Sequence, residues 1–169
     1  TAWTETIKDD VGHVIESIYH DGTIEIGDCA FWNCGLTTAI TSVSGAISAV
    51  GKFSFNGCVK IPNVDFLSGC RSIGVKAFKD CIGLESINLP STLLSVTTSA
   101  FEGCYSIKGG INWEQATDAE TLANGNITIG NRAFYGCTSL ATITRLCSAA
   151  TAAAAGGITL EGDSFGGIS

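Results

Sequence analysis

Hydrophobic positions in this chain follow a long repeat. Six times a phenylalanine stands after a small residue, and in five copies a cysteine follows three places later. The segments read IGDCAFWNC (26–34), VGKFSFNGC (50–58), IGVKAFKDC (73–81), VTTSAFEGC (96–104) and IGNRAFYGC (129–137). A sixth, LEGDSFGGI (160–168), has isoleucine where the cysteine would fall. Their starts at Ile26, Val50, Ile73, Val96, Ile129 and Leu160 are 24, 23, 23, 33 and 31 residues apart. Self-similarity at a period in the twenties predicts a repeat solenoid, in which each unit packs only on its neighbours.

The copy from Ile73 to Leu94 shows what one unit contains. Its inward set is Ile73, Ala77, Phe78, Cys81, Leu84, Ile87, Leu89 and Leu94. Alternation over 85–89 predicts a short strand, ended by Pro90, which has no N–H to give to a ladder. A second extended stretch over 94–96 leads into the next unit. The AFxxC core between strands is too short for a long helix and predicts one helical or 3₁₀ turn. Glycines at 27, 51, 74 and 130 follow the strand, where they would permit positive φ. The small residue before each Phe leaves room for the ring of the neighbouring unit.

The fold class expected is therefore a solenoid of short parallel β-strands and tight turns, about 23 residues per repeat. Glu16-Ser17-Ile18 echoes Glu85-Ser86-Ile87, so the repeats are expected to span 14–169, with 1–13 as an N-terminal cap or irregular segment. Two insertions, 109–128 and 147–157, lengthen the period and are expected to bulge as loops.

Composition narrows the function. Among 169 residues, 45% are hydrophobic, 15% are charged and the net charge is −7. Nine scattered basic residues do not make a phosphate-binding surface, which argues against nucleic acid. No apolar run approaches the roughly 20 residues of a membrane span. The chain starts at Thr1 and has no methionine, so it is expected to be a mature or excised portion of something longer.

Eight cysteines suggest a disulfide framework at first sight. The repeat changes that reading, because Cys34, Cys58, Cys81, Cys104 and Cys137 share one position. Rungs about 4.8 Å apart lie within the Cα separations a bridge tolerates. Parallel Cβ vectors on stacked rungs give poor torsions, however. A column of buried free thiols acting as small hydrophobes is the expectation. Cys29, Cys70 and Cys147 lie off that column and are the candidates for bridges or reactive thiols.

Other candidate chemistry is sparse. His13 and His20, with Asp21 nearby, are expected to be solvated or partly packed rather than metal-bound, and no paired CxxC motif supports zinc. Asp9-Asp10 and Glu114, Asp118 and Glu120 lack the spacing of a calcium loop. No GxSxG, HExxH or GxxxxGK[ST] occurs, so no catalytic residue, metal or cofactor is expected. Asn126-Ile127-Thr128 is a glycosylation sequon, which makes Asn126 a modification candidate. Phe31, Phe55, Phe78, Phe101, Phe134 and Phe165 are expected to form the spine of the core.

The string I-G-x-x-A-F-x-G-C-x-x-L-x-x-I-x-L-P, in 73–90 and again over 129–143, resembles the BspA-like (Treponema-type) leucine-rich repeats. The resemblance covers about 14–169, with Thr97 and Glu161 in place of the usual glycine. It implies a curved solenoid with a parallel sheet on its concave side. It also implies a secreted or cell-surface location, adhesion as the function, and no shared catalytic residues.

Ligand contacts would then come from outward strand residues: Asn63 and Asp65, Ser86 and Asn88, Asn112, and Thr142 and Thr144. Hydroxyl and amide groups suit hydrogen bonding to a protein backbone or a glycan more than electrostatic steering. Two readings stay open. One is an extracellular or cell-surface binding module. The other is a structural subunit that associates head-to-tail through open solenoid ends.

Overall fold

The computed structural model describes residues 4–8, 14–20, 23–35, 46–108, 110–113, 127–141, 143–145 and 158–168. Eleven strands occur among them: β1 Thr4–Lys8, β2 Val14–His20, β3 Thr23–Ile26, β4 Ala46–Val50, β5 Ser72–Ile73, β6 Ile87–Leu89, β7 Ser95–Val96, β8 Ile111–Trp113, β9 Ile127–Ile129, β10 Ile143–Arg145 and β11 Ile158–Leu160. A 3₁₀ turn covers Asp65–Leu67. Each repeat supplies one rung, numbered here 1 to 6 by Phe31, Phe55, Phe78, Phe101, Phe134 and Phe165.

The strands form two sheets on different walls of a parallel solenoid. The larger has eight strands in the order β1-β2-β3-β4-β5-β7-β9-β11, and the smaller has the order β10-β8-β6. From β3 onward every pairing in both sheets is parallel, one strand per rung. Parallel neighbours need a long crossover, and here the rest of each rung supplies it.

The N-terminal strands depart from this scheme. The Glu16-Ser17-Ile18 echo predicts a strand equivalent to 85–89, which would sit in the smaller sheet. Instead β2 lies in the larger sheet and pairs antiparallel with both β1 and β3. Only Asp21 and Gly22 separate β2 from β3, and a two-residue Asp-Gly connection directs strands into a hairpin.

Between the larger sheet and the cysteine of each rung runs a wall of tight turns. In rung 3 the N–H groups of Lys76, Phe78 and Asp80 donate to the carbonyls of Thr98, Ala100 and Glu102 in rung 4, at 3.1, 2.7 and 2.8 Å. The alternate residues Ala77, Lys79 and Cys81 bond back to Gly74, Lys76 and Phe78 within the rung. Every other peptide thus points along the stack, and the wall behaves as a ladder without being a strand.

That alternation requires left-handed backbone two residues before and two after the phenylalanine. Asn33, Gly57, Asp80, Gly103, Gly136 and Gly167 take positive φ on the far side, and Cys29, Phe53, Lys76, Ser99 and Arg132 on the near side. Gly27, Gly51, Gly74 and Gly130, expected to supply positive φ, do not. Close approach explains the glycine where rungs stack. A Cβ on Gly74 would lie 2.7 Å from the Val50 carbonyl oxygen, and one on Gly130 the same distance from the Thr97 carbonyl carbon.

The core is a column. Ring centroids of Phe31, Phe55, Phe78, Phe101, Phe134 and Phe165 follow one another at 4.7, 5.0, 5.1, 5.2 and 5.2 Å, with planes within 7° of parallel. Parallel planes at these distances are the offset-stacked arrangement that the ring quadrupole favours. Phe66 tilts 53° across Phe55 and Phe78 and closes that side. Ile73, Ala77, Phe78, Cys81, Leu84, Ile87 and Leu89 are fully buried in rung 3. The eighth inward position is Leu93 rather than Leu94, which is half-buried. A turn closed by the Leu93 N–H on the Pro90 carbonyl sets Leu93 into the core.

Candidate functional site

The smaller sheet carries three of the seven outward residues expected to meet a ligand, Asn88, Asn112 and Thr144. In β6 and β8 the pattern is buried–exposed–buried, with Ile87, Leu89, Ile111 and Trp113 inside and Asn88 and Asn112 outside. Parallel register sets Asn112 between Asn88 and Thr144. One rung before Asn88, Asp65 begins the 3₁₀ turn and is exposed.

These side chains bond to one another. Asn88 Nδ2 donates to Asp65 Oδ1 at 2.8 Å, and Asn112 Nδ2 donates to Asn88 Oδ1 at 3.1 Å. Stacked amides a rung apart align donor to acceptor, as in the asparagine ladders of stacked sheets. Each amide nitrogen has two hydrogens and uses one in the row. One N–H on Asn88, one on Asn112 and the second carboxylate oxygen of Asp65 take no part in these two bonds. The row is a preformed strip of two donors beside one anionic acceptor.

A parallel file lies two residues back along each rung. Asn63 is half-buried, and its Oδ1 accepts the Asp65 N–H at 3.3 Å, which ties it to the start of the 3₁₀ turn. Ser86 is half-buried, and its register partner in the next rung is Gly110. The two files are therefore unequal: the Asp65 row is continuous and outward, while the Asn63 file is recessed. Thr142, the sequon Asn126, Cys147, His13, the Asp9-Asp10 pair and the acids Glu114, Asp118 and Glu120 lie outside the described residues.

The cysteines form a second regular array, inside the wall. Cys34 is half-buried, and Cys58, Cys81, Cys104 and Cys137 are buried free thiols. Their sulfurs donate to the carbonyls of Phe31, Phe55, Phe78 and Phe101 on the preceding rung, at 2.9, 3.1, 3.0 and 3.2 Å. Burial pushes the Cys58 and Cys137 thiols up to about 12, and it raises Cys81 and Cys104 as well. A thiol with a raised pKa holds almost no thiolate at neutral pH, so this column is inert. Off the column, Cys70 is buried, donates to the Ser72 carbonyl at 3.3 Å and is raised by burial to about 12. Cys29 is exposed and free.

One ionic cluster spans rungs 3 to 5. Glu102 sits 2.8 Å from Lys79 and 3.3 Å from Arg132, and the Arg132 guanidinium lies 4.1 Å from the Tyr135 ring centroid. Burial opposes ionisation of Glu102. Hydrogen bonds from Lys79 and Ser99 and the charges of Lys79 and Arg132 outweigh it and hold the carboxyl below its ordinary value. Among the described residues no three His, Cys, Asp or Glu side chains group as metal ligands would. No helix among them is long and apolar enough to cross a membrane.

The turn wall also carries polar and aromatic groups that the outward-strand reasoning passed over, Trp32, Lys52 and Lys76 among them. Trp32 directly follows Phe31, while Lys52 and Lys76 stand three and two places before Phe55 and Phe78, positions that no strand alternation marks.

No curated protein and no solved structure matches the chain. The family model for the BspA type leucine rich repeat region matches in six copies, over residues 14–108 and 114–151. A parallel solenoid of short rungs, built on a repeated phenylalanine and cysteine and matched by that model over most of its length, belongs to the BspA-type leucine-rich-repeat family.

Proposed function

We propose that this chain is a non-catalytic binding module of the cell surface or extracellular space. It would hold a protein or glycan partner in adhesion through the face that carries Asn63, Asp65, Ser86, Asn88, Asn112, Thr142 and Thr144. Family membership supports a repeat module that binds protein. The observation that carries the assignment to this face is the hydrogen-bonded row Asp65–Asn88–Asn112. Its amides are fixed before a partner arrives, so little side-chain entropy is lost on binding. Solenoids present such rows as extended surfaces.

The test is binding of the purified chain to a panel of immobilised matrix proteins and to a glycan array. The double variant Asn88→Ala/Asn112→Ala is compared with the surface control Ser139→Ala. The double variant is expected to lose the panel hits that the native chain and control retain. Equal binding by all three would remove this face from the reading.

One observation favours a second reading, assembly of copies end to end. Leu160, on the edge strand β11 of the larger sheet, is 57% exposed, and such an edge invites another chain. On the opposite side β2 already occupies the edge of β3. Any copy added to the sheet there must pair with β1. Light scattering of the purified chain separates the readings, since a concentration-independent monomer rules out assembly.

A further inference from the structure

We propose that the turn wall of rungs 1 to 3 binds an acidic polysaccharide. This site is distinct from the row on the smaller sheet. The residue after each phenylalanine follows a core position on the turn, and on three successive rungs it is Trp32, exposed, and Asn56 and Lys79, half-buried. The rungs are locked in register by Phe31 N–H to Ser54, Asn33 N–H to Asn56 and Gly57 N–H to Lys79 carbonyl bonds, at 2.6, 2.8 and 2.8 Å. An aromatic plate, an amide and a cation thus stand in one file. The spacing is that of the spine beneath, 4.7 and then 5.0 Å.

Trp32 is the most exposed large hydrophobic residue described, at 58%. More than half of its side chain is therefore open to solvent. A pyranose ring has one C–H face and a belt of hydroxyls. The indole plate takes the apolar face, and the neighbouring Asn56 amide can donate to and accept from hydroxyls. A chain of such rings laid along the solenoid axis advances by about one rung per residue.

The charge of the ligand follows from the lysines. The whole chain has nine Lys and Arg residues, and Lys52, Lys76 and Lys79 gather on the turn wall of rungs 2 and 3. Lys52 is exposed, and Lys76 lies over the Phe53 ring at 5.4 Å from its centroid. Among the described residues neither is ion-paired, whereas Lys79 is held by Glu102. The acids nearby are Asp28, whose Oδ1 accepts the Lys52 backbone N–H at 2.6 Å, and the exposed Asp80. The Lys52 ammonium makes no ion pair among the described residues, which leaves it for a ligand carboxylate or sulfate. Lysine suits it as a compact point charge.

The experiment is calorimetric and fluorescence titration of the full chain with oligogalacturonate, with the matching neutral oligogalactan and with polyglutamate, at low and high salt. The expected result is binding of the oligogalacturonate that weakens with salt and changes tryptophan emission. Trp32→Ala should weaken it about tenfold with unchanged thermal stability, because the side chain is exposed. Lys52→Gln/Lys76→Gln should weaken it and flatten its salt dependence. Asn88→Ala on the smaller sheet should leave it unaltered, which separates this site from the face proposed above. The proposal is overturned by absence of oligogalacturonate binding, by full binding in Trp32→Ala, or by equal binding of polyglutamate, which would mean a wall that reads charge alone.

Discussion

The thiol of Cys81 donates to the carbonyl oxygen of Phe55, 3.1 Å away on the preceding rung. The same bond recurs from Cys58, Cys104 and Cys137. The cysteine therefore does two things at once, filling a small apolar site and fastening its rung to the one before.

Cys81→Ala removes both contributions. The lost hydrogen bond is worth about 0.5–1.5 kcal/mol, and a small void adds to it. A destabilisation of about 1–3 kcal/mol is expected by urea denaturation. An unchanged midpoint would show that the sulfur adds nothing to the stack.

The thiol column also sets an alkaline limit. Its folded pKa values are raised from 9.0, with Cys58 and Cys137 near 12, and off the column Cys70 is raised as far. Their stabilising effect is complete below pH 9 and declines as pH rises towards the folded values, because the unfolded chain releases those protons first. Melting temperature should hold steady up to about pH 9 and then fall steeply. Cys58→Ala/Cys137→Ala should shallow that fall.

Accessibility predicts a labelling order. In the folded chain at neutral pH, iodoacetamide is expected to modify exposed Cys29, while Cys58, Cys70, Cys81, Cys104 and Cys137 stay protected until unfolding. Peptide mapping reads this directly, and early labelling of Cys104, fully enclosed in the column, would contradict it.

Phe78 lies between Phe55 and Phe101 in the middle of the spine. Phe78→Ala is expected to cost about 3–5 kcal/mol. Phe165→Ala should cost less, since that ring has one described stacking partner, Phe134, and is only partly buried. Equal losses at the two positions would argue against a spine with nearest-neighbour coupling.

Gly103 combines two constraints. Its φ is +77°, and a Cβ there would meet Asp80 Oδ1. Gly103→Ala should destabilise by about 1–2 kcal/mol from backbone strain, plus the cost of moving Asp80. In a double-mutant cycle, Asp80→Gly should restore only the second part.

The Phe–Cys register carried most of the fold. Once Phe31, Phe55, Phe78 and their successors are aligned, the strands before and after them fall into order, and the exposed row Asp65–Asn88–Asn112 follows from alternation about Val64, Ile87 and Ile111. What alignment could not reveal is how backbone and amides are directed. Cys29, Phe53, Lys76, Ser99 and Arg132 take left-handed backbone without glycine or asparagine to announce it, because the inter-rung ladder imposes that conformation. The bonds from Asn112 to Asn88 and on to Asp65 depend on rung alignment and not on residue type. At the N-terminus the echo marks where the repeat match begins, at residue 14, but three residues do not reveal that β2 runs antiparallel to β1 and β3.

The Cys137-to-Phe101 bond joins residues 36 apart in sequence, against 26 for the bond from Cys104 to Phe78, yet the two differ in length by only 0.2 Å. Ten further residues lengthen the closed loop at an entropic cost of about 0.3 kcal/mol, small beside the stacking of one phenylalanine. The stack is thus nearly indifferent to how much chain separates two rungs. Length and chemistry outside the wall can vary from one repeat to the next while the wall keeps its shape, which gives a fixed scaffold room for changeable specificity.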